Sequence, residues 1–160
     1  MDHIVDGHNL VEHIAGLSLS MPDDEQRLIE LLVQYCKLGR HRIEVYFDAA
    51  PVGQAGVRNF GRVHAHFVSQ ASSADEAIRR RLARLGRAAK NWMVVTSDRS
   101  VQASAHEAHA QVINAEGFSR RLQAALQASP EARTVDEPLS EAEVREWEAI
   151  FKGQRKGKEP

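Results

Sequence analysis

Three short apolar runs in this chain each lead into an aspartate. Ile4-Val5 is followed by Asp6, Val45-Tyr46-Phe47 by Asp48, and Val94-Val95-Thr96-Ser97 by Asp98. The run Trp92-Met93-Val94-Val95-Thr96 carries no charge, as a strand buried on both faces requires. Between these runs lie stretches with a helical period: Leu28, Leu31, Leu32, Tyr35 and Leu38 before Gly39, then Ile78, Leu82, Leu85 and Ala89. Short strands alternating with amphipathic helices predict an α/β sandwich with a mainly parallel central sheet.

The expected strands cover 3–6, 42–48, 63–68, 92–96 and 111–113. A helix starts at Pro22, where the acids Asp23, Asp24 and Glu25 suit the positive end of the dipole. Ser73 caps a second helix running to about Lys90, and further helices are expected over 101–107 and 116–126. Pro51, Gly53, Gly56 and Gly61 mark a loop. Residues 129–138 read as a linker. Ser140-Glu141-Ala142-Glu143 is a capping box opening a last helix over 140–151, and 153–160 form a basic tail. One domain over 1–152 is expected, since 160 residues suffice for a core without disulfides or a structural metal.

A formal net charge of -1 excludes a histone-like basic binder and an acidic disordered chain, but leaves room for local charged patches. Cys36 is the only cysteine, which excludes an internal disulfide and a thiolate metal cluster. The opening segment MDHIVDGHNL carries charge where a signal peptide has its apolar core, and no apolar run approaches the roughly 18 residues of a membrane span. A soluble cytoplasmic protein is expected.

Ligands of open parallel sheets bind beyond the carboxyl ends of the strands, where Asp6, Asp48 and Asp98 would converge. Asp75 is a fourth candidate. It extends the Ile78–Leu82–Leu85 stripe toward the helix N-terminus, whereas Glu76 points away. Gathered carboxylates repel one another unless a cation neutralises them, and a hard divalent ion, Mg²⁺ or Mn²⁺, suits oxygen ligands. Such an ion can activate water and stabilise charge on a scissile phosphate. Each aspartate also has an ordinary explanation as a turn former, an N-cap or a partner of the helix dipole, so the argument rests on the constellation.

Val5-Asp6-Gly7-His8-Asn9, Val45-Tyr46-Phe47-Asp48, Ser73-Ala74-Asp75-Glu76 and Thr96-Ser97-Asp98-Arg99 occur in that order. Together they resemble the YacP-like NYN domain, a PIN-like ribonuclease family also described as RNA-binding. The resemblance covers most of the chain, including 139–151. It implies a PIN-like three-layer sandwich with the metal site at the C-terminal edge of the sheet. It places Asp6, Asp48, Asp75 and Asp98 at the acidic, metal-holding positions. Asn9 would orient a carboxylate or a metal-bound water, and Thr96 and Ser97 would hydrogen-bond a phosphate or a neighbouring acid. His8 departs from the family pattern, in which an aromatic, commonly Tyr, is frequent.

Arg79, Arg80, Arg84, Arg87 and Lys90 share the helix face opposite the apolar stripe, a phosphate-binding surface or an ordinary solvated face. Arg58 and Arg62 in the glycine-containing loop, and Arg99 after Asp98, complete the RNA-contact candidates. His64 with His66, and His106 with His109, are spaced for a shared ligand, but no HExxH pattern supports zinc. Trp92 and Trp147 read as packing residues. The function expected is a Mg²⁺- or Mn²⁺-dependent endoribonuclease acting on single-stranded RNA. The alternatives are a non-catalytic RNA-binding protein, ribosome-associated or not, and a metal-dependent phosphatase for small phosphoesters.

Overall fold

A strand whose central side chains are wholly buried on both faces needs a strand on either side and two covering layers. β1 (Asp2–Asp6) and β5 (Trp92–Val95) meet that condition: Ile4, Val5, Val94 and Val95 have no exposed surface. The computed structural model describes residues 1–128. The remaining elements are α1 (Gly7–Val11), α2 (Asp24–Gly39), β2 (Arg42–Ala50), β3 (Gly56–Phe60), β4 (Val63–Ser69), α3 (Ala74–Leu85), α4 (Arg99–Glu107), β6 (Gln111–Ile113) and α5 (Ala115–Gln127). The linker, closing helix and basic tail expected over 129–160 lie outside the described residues. The chain divides into two compact units, Met1–Leu122 and Gln123–Pro160. The first contains the sheet and every candidate residue.

The six strands follow the order β3-β4-β2-β1-β5-β6, parallel throughout except for the β3–β4 pair. β1 is central, with Val5 level with Val45 on one side and Val95 on the other. On one face α3 and α4 pack their apolar stripes, Ile78 and Leu82 with Val101 and Ala105, over Ile4, Tyr46, Trp92 and Val94. On the other face Leu28, Leu32 and Tyr35 of α2 are buried. There His3, buried and held neutral with a pKa lowered by burial to about 4, donates to the Met1 carbonyl and meets the rings of Tyr35 and Phe118.

Several expected boundaries move. The segment read as a loop contains β3, an edge strand pairing antiparallel with β4. α3 ends at Leu85, because Gly86 takes φ +54° and the chain tightens into a 3-10 turn over Gly86–Asn91. α1 has no long apolar period to announce it, although Asp6 stands at its N-cap, and Gly7 explains its position: a β-carbon there would overlap the Phe47 ring and lie 3.0 Å from the Tyr46 carbonyl. β2 does not stop at Asp48. Phe47 pairs with Phe67 and Ala50 with Ser69, so β2 spends one residue more than β4 between those pairs. Asp48 and Ala49 form this bulge, with Ala49 left-handed at φ +59°.

One polar contact crosses the core. Glu44, an acid within the apolar stretch of β2, accepts from Arg81 of α3 through Nε at 2.8 Å and Nη2 at 2.9 Å, and from the Tyr46 hydroxyl at 2.9 Å. Burial alone would raise the Glu44 carboxyl, but the Arg81 and Tyr46 hydrogen bonds outweigh it and hold the group below its ordinary range. Arg81 also lies over the Trp92 ring, 5.2 Å from its centroid. Removing one partner strands a buried charge, so Arg81→Met is expected to cost about 3 kcal/mol in urea unfolding. Adding Glu44→Gln should recover more than half of that loss. Additive losses in the double variant would show that the pair is not coupled.

Candidate functional site

Parallel strands deliver their carboxyl ends to one edge, and the site is built there. Asp6 is the last residue of β1, Asp48 lies in the β2 bulge, Asp75 is in the first turn of α3, and Asp98 immediately precedes α4. Each acid therefore comes from a different element. Asp6 is 8% exposed and makes no ion pair among the described residues. Burial and then the negative fields of Asp75 and Asp48 push its carboxyl up to about 6, against a hydrogen bond from Thr96. Burial also raises Asp75, aided by Asp98 and Asp48 and opposed by Arg79. The four carboxyl groups thus form one electrostatically coupled set.

Their side chains are held by different contacts. The Thr96 hydroxyl donates to Asp6 at 3.3 Å and accepts the Asp98 amide at 3.1 Å. Asp98 caps α4 through Oδ1, accepting from the Ser100 hydroxyl at 2.7 Å and from the amides of Ser100 and Val101, contacts that lower its pKa. Asn9 accepts the Ser97 amide at 2.7 Å, tying α1 to the turn after β5. His8 stands between two acids, with Nδ1 2.9 Å from Asp48 and Nε2 2.7 Å from Glu25. The Glu25 contact, with that to Asp48, outweighs burial and raises the ring to about 9.

The donor chemistry, carboxylate oxygens without a compensating cation around Asp6, suits a hard divalent ion. The side-chain arrangement is not a finished cage: among the described residues, no group of three or more acidic, histidine or cysteine side chains is set to hold a metal. Asp98 is occupied as a cap and Asp48 by His8, so metal binding would recruit their remaining oxygens.

The RNA-contact candidates divide. Thr96 has no exposed surface and is spent on its neighbouring acids, so it reaches no phosphate. The Ser97 hydroxyl accepts the Ala115 amide. Arg62 is misplaced by the sequence reading: it stands just before β4, where its carbonyl accepts the Ile43 amide at the edge opposite the aspartates. Arg58 is on β3, its guanidinium 4.6 Å from the Phe67 ring centroid. Arg80 pairs with Glu76 at 3.5 Å and, with Arg84, lines a hollow beside Tyr46 and His66. Arg79 donates to the Ser100 hydroxyl at 2.6 Å. It borders a groove of about 770 Å³ between α3 and α4 that also takes in Arg87, Lys90 and His109. Arg99 is exposed at the start of α4. The single basic face is therefore two, one on each flank of α3. His66 stacks on Tyr46, and His64 bonds Asn59. Glu25 was read only as a helix-dipole acid, and nothing in the local pattern links it to Asp48. Arg81 lies outside the expected basic face, and the signal for it is Glu44, an acid within the apolar stretch of β2 that needs a partner.

Residues 3–152 match the YacP-like NYN domain. The chain belongs to that family. YacP-like NYN domains are PIN-like nucleases. Among solved structures, the chain is similar to a tryptophan-to-leucine variant of Rae1 (YacP) from Bacillus subtilis, at 25% identity over 96% of each chain with a TM-score of 0.71. A second crystal structure of Rae1 (YacP) from Bacillus subtilis is 21% identical, with 98% of this chain and 95% of that one covered and a TM-score of 0.69. No curated protein sequence matches the chain. The α/β fold with its mainly parallel sheet is that of these YacP structures.

Asp6 carries a stability cost that can be measured. Its carboxyl titrates near 6 in the fold against 3.8 when unperturbed, so the folded state binds more protons between those values. Stability is lost as pH rises from about 4 to about 6, and at neutral pH the cost is on the order of 1–3 kcal/mol. Asp6→Asn should therefore raise the melting temperature of metal-free protein at pH 7.5, with the gain shrinking toward pH 4. Taking the difference between variant and parent cancels the opposite acid sensitivity of His3. A variant no more stable than the parent at pH 7.5 would contradict the uncompensated-charge account.

Proposed function

We propose that this YacP-like NYN domain is an endoribonuclease that depends on Mg²⁺ or Mn²⁺ and hydrolyses RNA phosphodiester bonds at the Asp6, Asp48, Asp75 and Asp98 site. The observation that carries the reading is the buried Asp6, coupled to further acids at the C-terminal sheet edge and without an ion-pair partner of its own among the described residues. Such an arrangement is unfavourable in a purely structural role. In this reading Asp6 and Asp75 supply the main oxygen ligands, with the free oxygens of Asp48 and Asp98 completing the set. The ion would supply an activated water and neutralise charge building on the phosphate.

The chain's own residues supply positioning. Thr96 orients Asp6, and the Asn9–Ser97 contact fixes the turn that presents Asp98. Arg79 stands beside Asp75 and leads into the α3–α4 groove, where Arg87 and Lys90 have no acidic partner among the described residues. That groove offers a path for the RNA backbone next to the acids. The hollow at Arg80 and Arg84 offers a second path on the other flank of α3. No helix among the described residues is long and apolar enough to cross a membrane.

A non-catalytic RNA-binding role, whether or not on the ribosome, is the second reading. It is favoured by the capping duty of Asp98 and by the absence of a finished metal cage among the described residues. Incubation with single-stranded RNA and Mn²⁺ separates the two. Cleavage is expected from the parent chain, abolished by EDTA, and reduced at least about 100-fold by Asp6→Asn or Asp98→Asn. Mononucleotides and sugar phosphates should remain intact, or the phosphatase alternative gains. RNA binding without turnover over a wide metal range would favour the second reading, and cleavage surviving EDTA and both substitutions would falsify the metal-site assignment. Arg87→Glu with Lys90→Glu should weaken RNA binding and flatten its salt dependence, while leaving the fold intact.

A further inference from the structure

Asp48 is the acid of the site least constrained by its own backbone position. It lies in a strand bulge and its side chain is 47% exposed. A carboxylate in that setting samples several rotamers, and each rotamer other than the productive one lowers affinity for any ion it helps hold. In this structure it is not free to do so. His8, the second residue of α1, packs its ring against Phe47 at 5.3 Å between centroids and holds Asp48 Oδ1 through Nδ1 at 2.9 Å. The opposite nitrogen, Nε2, is 2.7 Å from Oε2 of Glu25 in the first turn of α2.

One ring nitrogen faces Asp48 and the other Glu25, so the imidazole is clamped between two acids on different elements. We propose that Glu25 is a positioning residue for the metal site: through His8 it fixes Asp48 Oδ1 and leaves Oδ2 available for the ion. The inference rests on the metal-dependent reading above and adds to it a further element, α2, that contributes no ligand of its own. Glu25 does two things in this arrangement. It sets the ring orientation and the donor character of Nδ1, as outer carboxylates do for histidines near metals. It also holds the ring against turning, since rotation would break both contacts at once.

The test is Mn²⁺ affinity, measured by calorimetry on metal-stripped full-length protein without RNA, with the metal-free melting temperature recorded for each variant. Glu25→Ala should raise the Mn²⁺ dissociation constant about tenfold, the scale of effect for outer-shell partners. Glu25→Gln keeps an acceptor oxygen for Nε2 in a weaker, neutral contact, so it should fall between Ala and the parent. Glu30→Gln removes an exposed acid elsewhere on α2 and should bind Mn²⁺ like the parent. Metal-free melting temperatures that agree across the set would place the effect at the ion and not in the fold. Parent-like affinity in Glu25→Ala would overturn the positioning role while leaving the metal reading standing. Equal losses in Glu25→Gln and Glu30→Gln would overturn it in favour of a general field effect. A parent chain that binds no Mn²⁺ would overturn the metal reading itself, and this inference with it.

Discussion

Repulsion among carboxylates at one edge of a parallel sheet is the constraint around which this molecule is arranged. Charges of one sign separate unless the scaffold forbids it. Here the scaffold does so by drawing each acid from a different element, all fixed by the central sheet and the helix layers upon it. β1 matters most because it sits at the middle of the strand order and ends in the most buried of the four. The strain is local and electrostatic, while the strands below it are apolar and well packed. That division of labour lets a fold tolerate an unfavourable cluster without losing its core.

Much of this was legible in the sequence because burial on two faces leaves a strong trace. Runs such as Trp92-Met93-Val94-Val95 have no other stable setting, and the period of Ile78, Leu82 and Leu85 fixed the face of α3. The placement of Asp75 over Glu76 followed from that period, and the structure finds Glu76 exposed and paired with Arg80. What stayed hidden depended on contacts distant in sequence. α1 is too short to show a period, and its place depends on the fit of Gly7 against Phe47. β3 is exposed along nearly its whole length, so no alternation of apolar and polar residues marks it. The sequence puts Arg62 with Arg58 in one glycine-containing loop, but the turn between β3 and β4 carries it to the far edge of the sheet. The partners of Glu44 and His8 are 37 and 17 residues away, where local patterns carry no information.

The two ion pairs that sequence reading missed have different characters. Glu44–Arg81 is buried, joins β2 to α3 on the face away from α2, and serves the register of helix on sheet. The clamp on His8 is half exposed, joins α1, α2 and β2, and borders the acids. The first belongs to stability, where an apolar substitute of the same shape would do nearly as well. The second has no such substitute, because its geometry ends on a carboxylate that faces the proposed site.

The bulge at Asp48 and Ala49 has a consequence for how this family could diverge. In a regular strand, side chains alternate, and the extra residue in β2 puts everything beyond Phe47 out of step with β4. Loss of a single residue there would restore the alternation, keep the Phe47–Phe67 pairing below it, and remove the irregular backbone at Asp48 and Ala49 on which the placing of the Asp48 carboxylate depends. An inactive descendant could thus arise by shortening alone, with its core, its helices and all four aspartates still present in the sequence. Counting acids would not distinguish it from an active relative; counting the residues between Phe47 and Ala50 would.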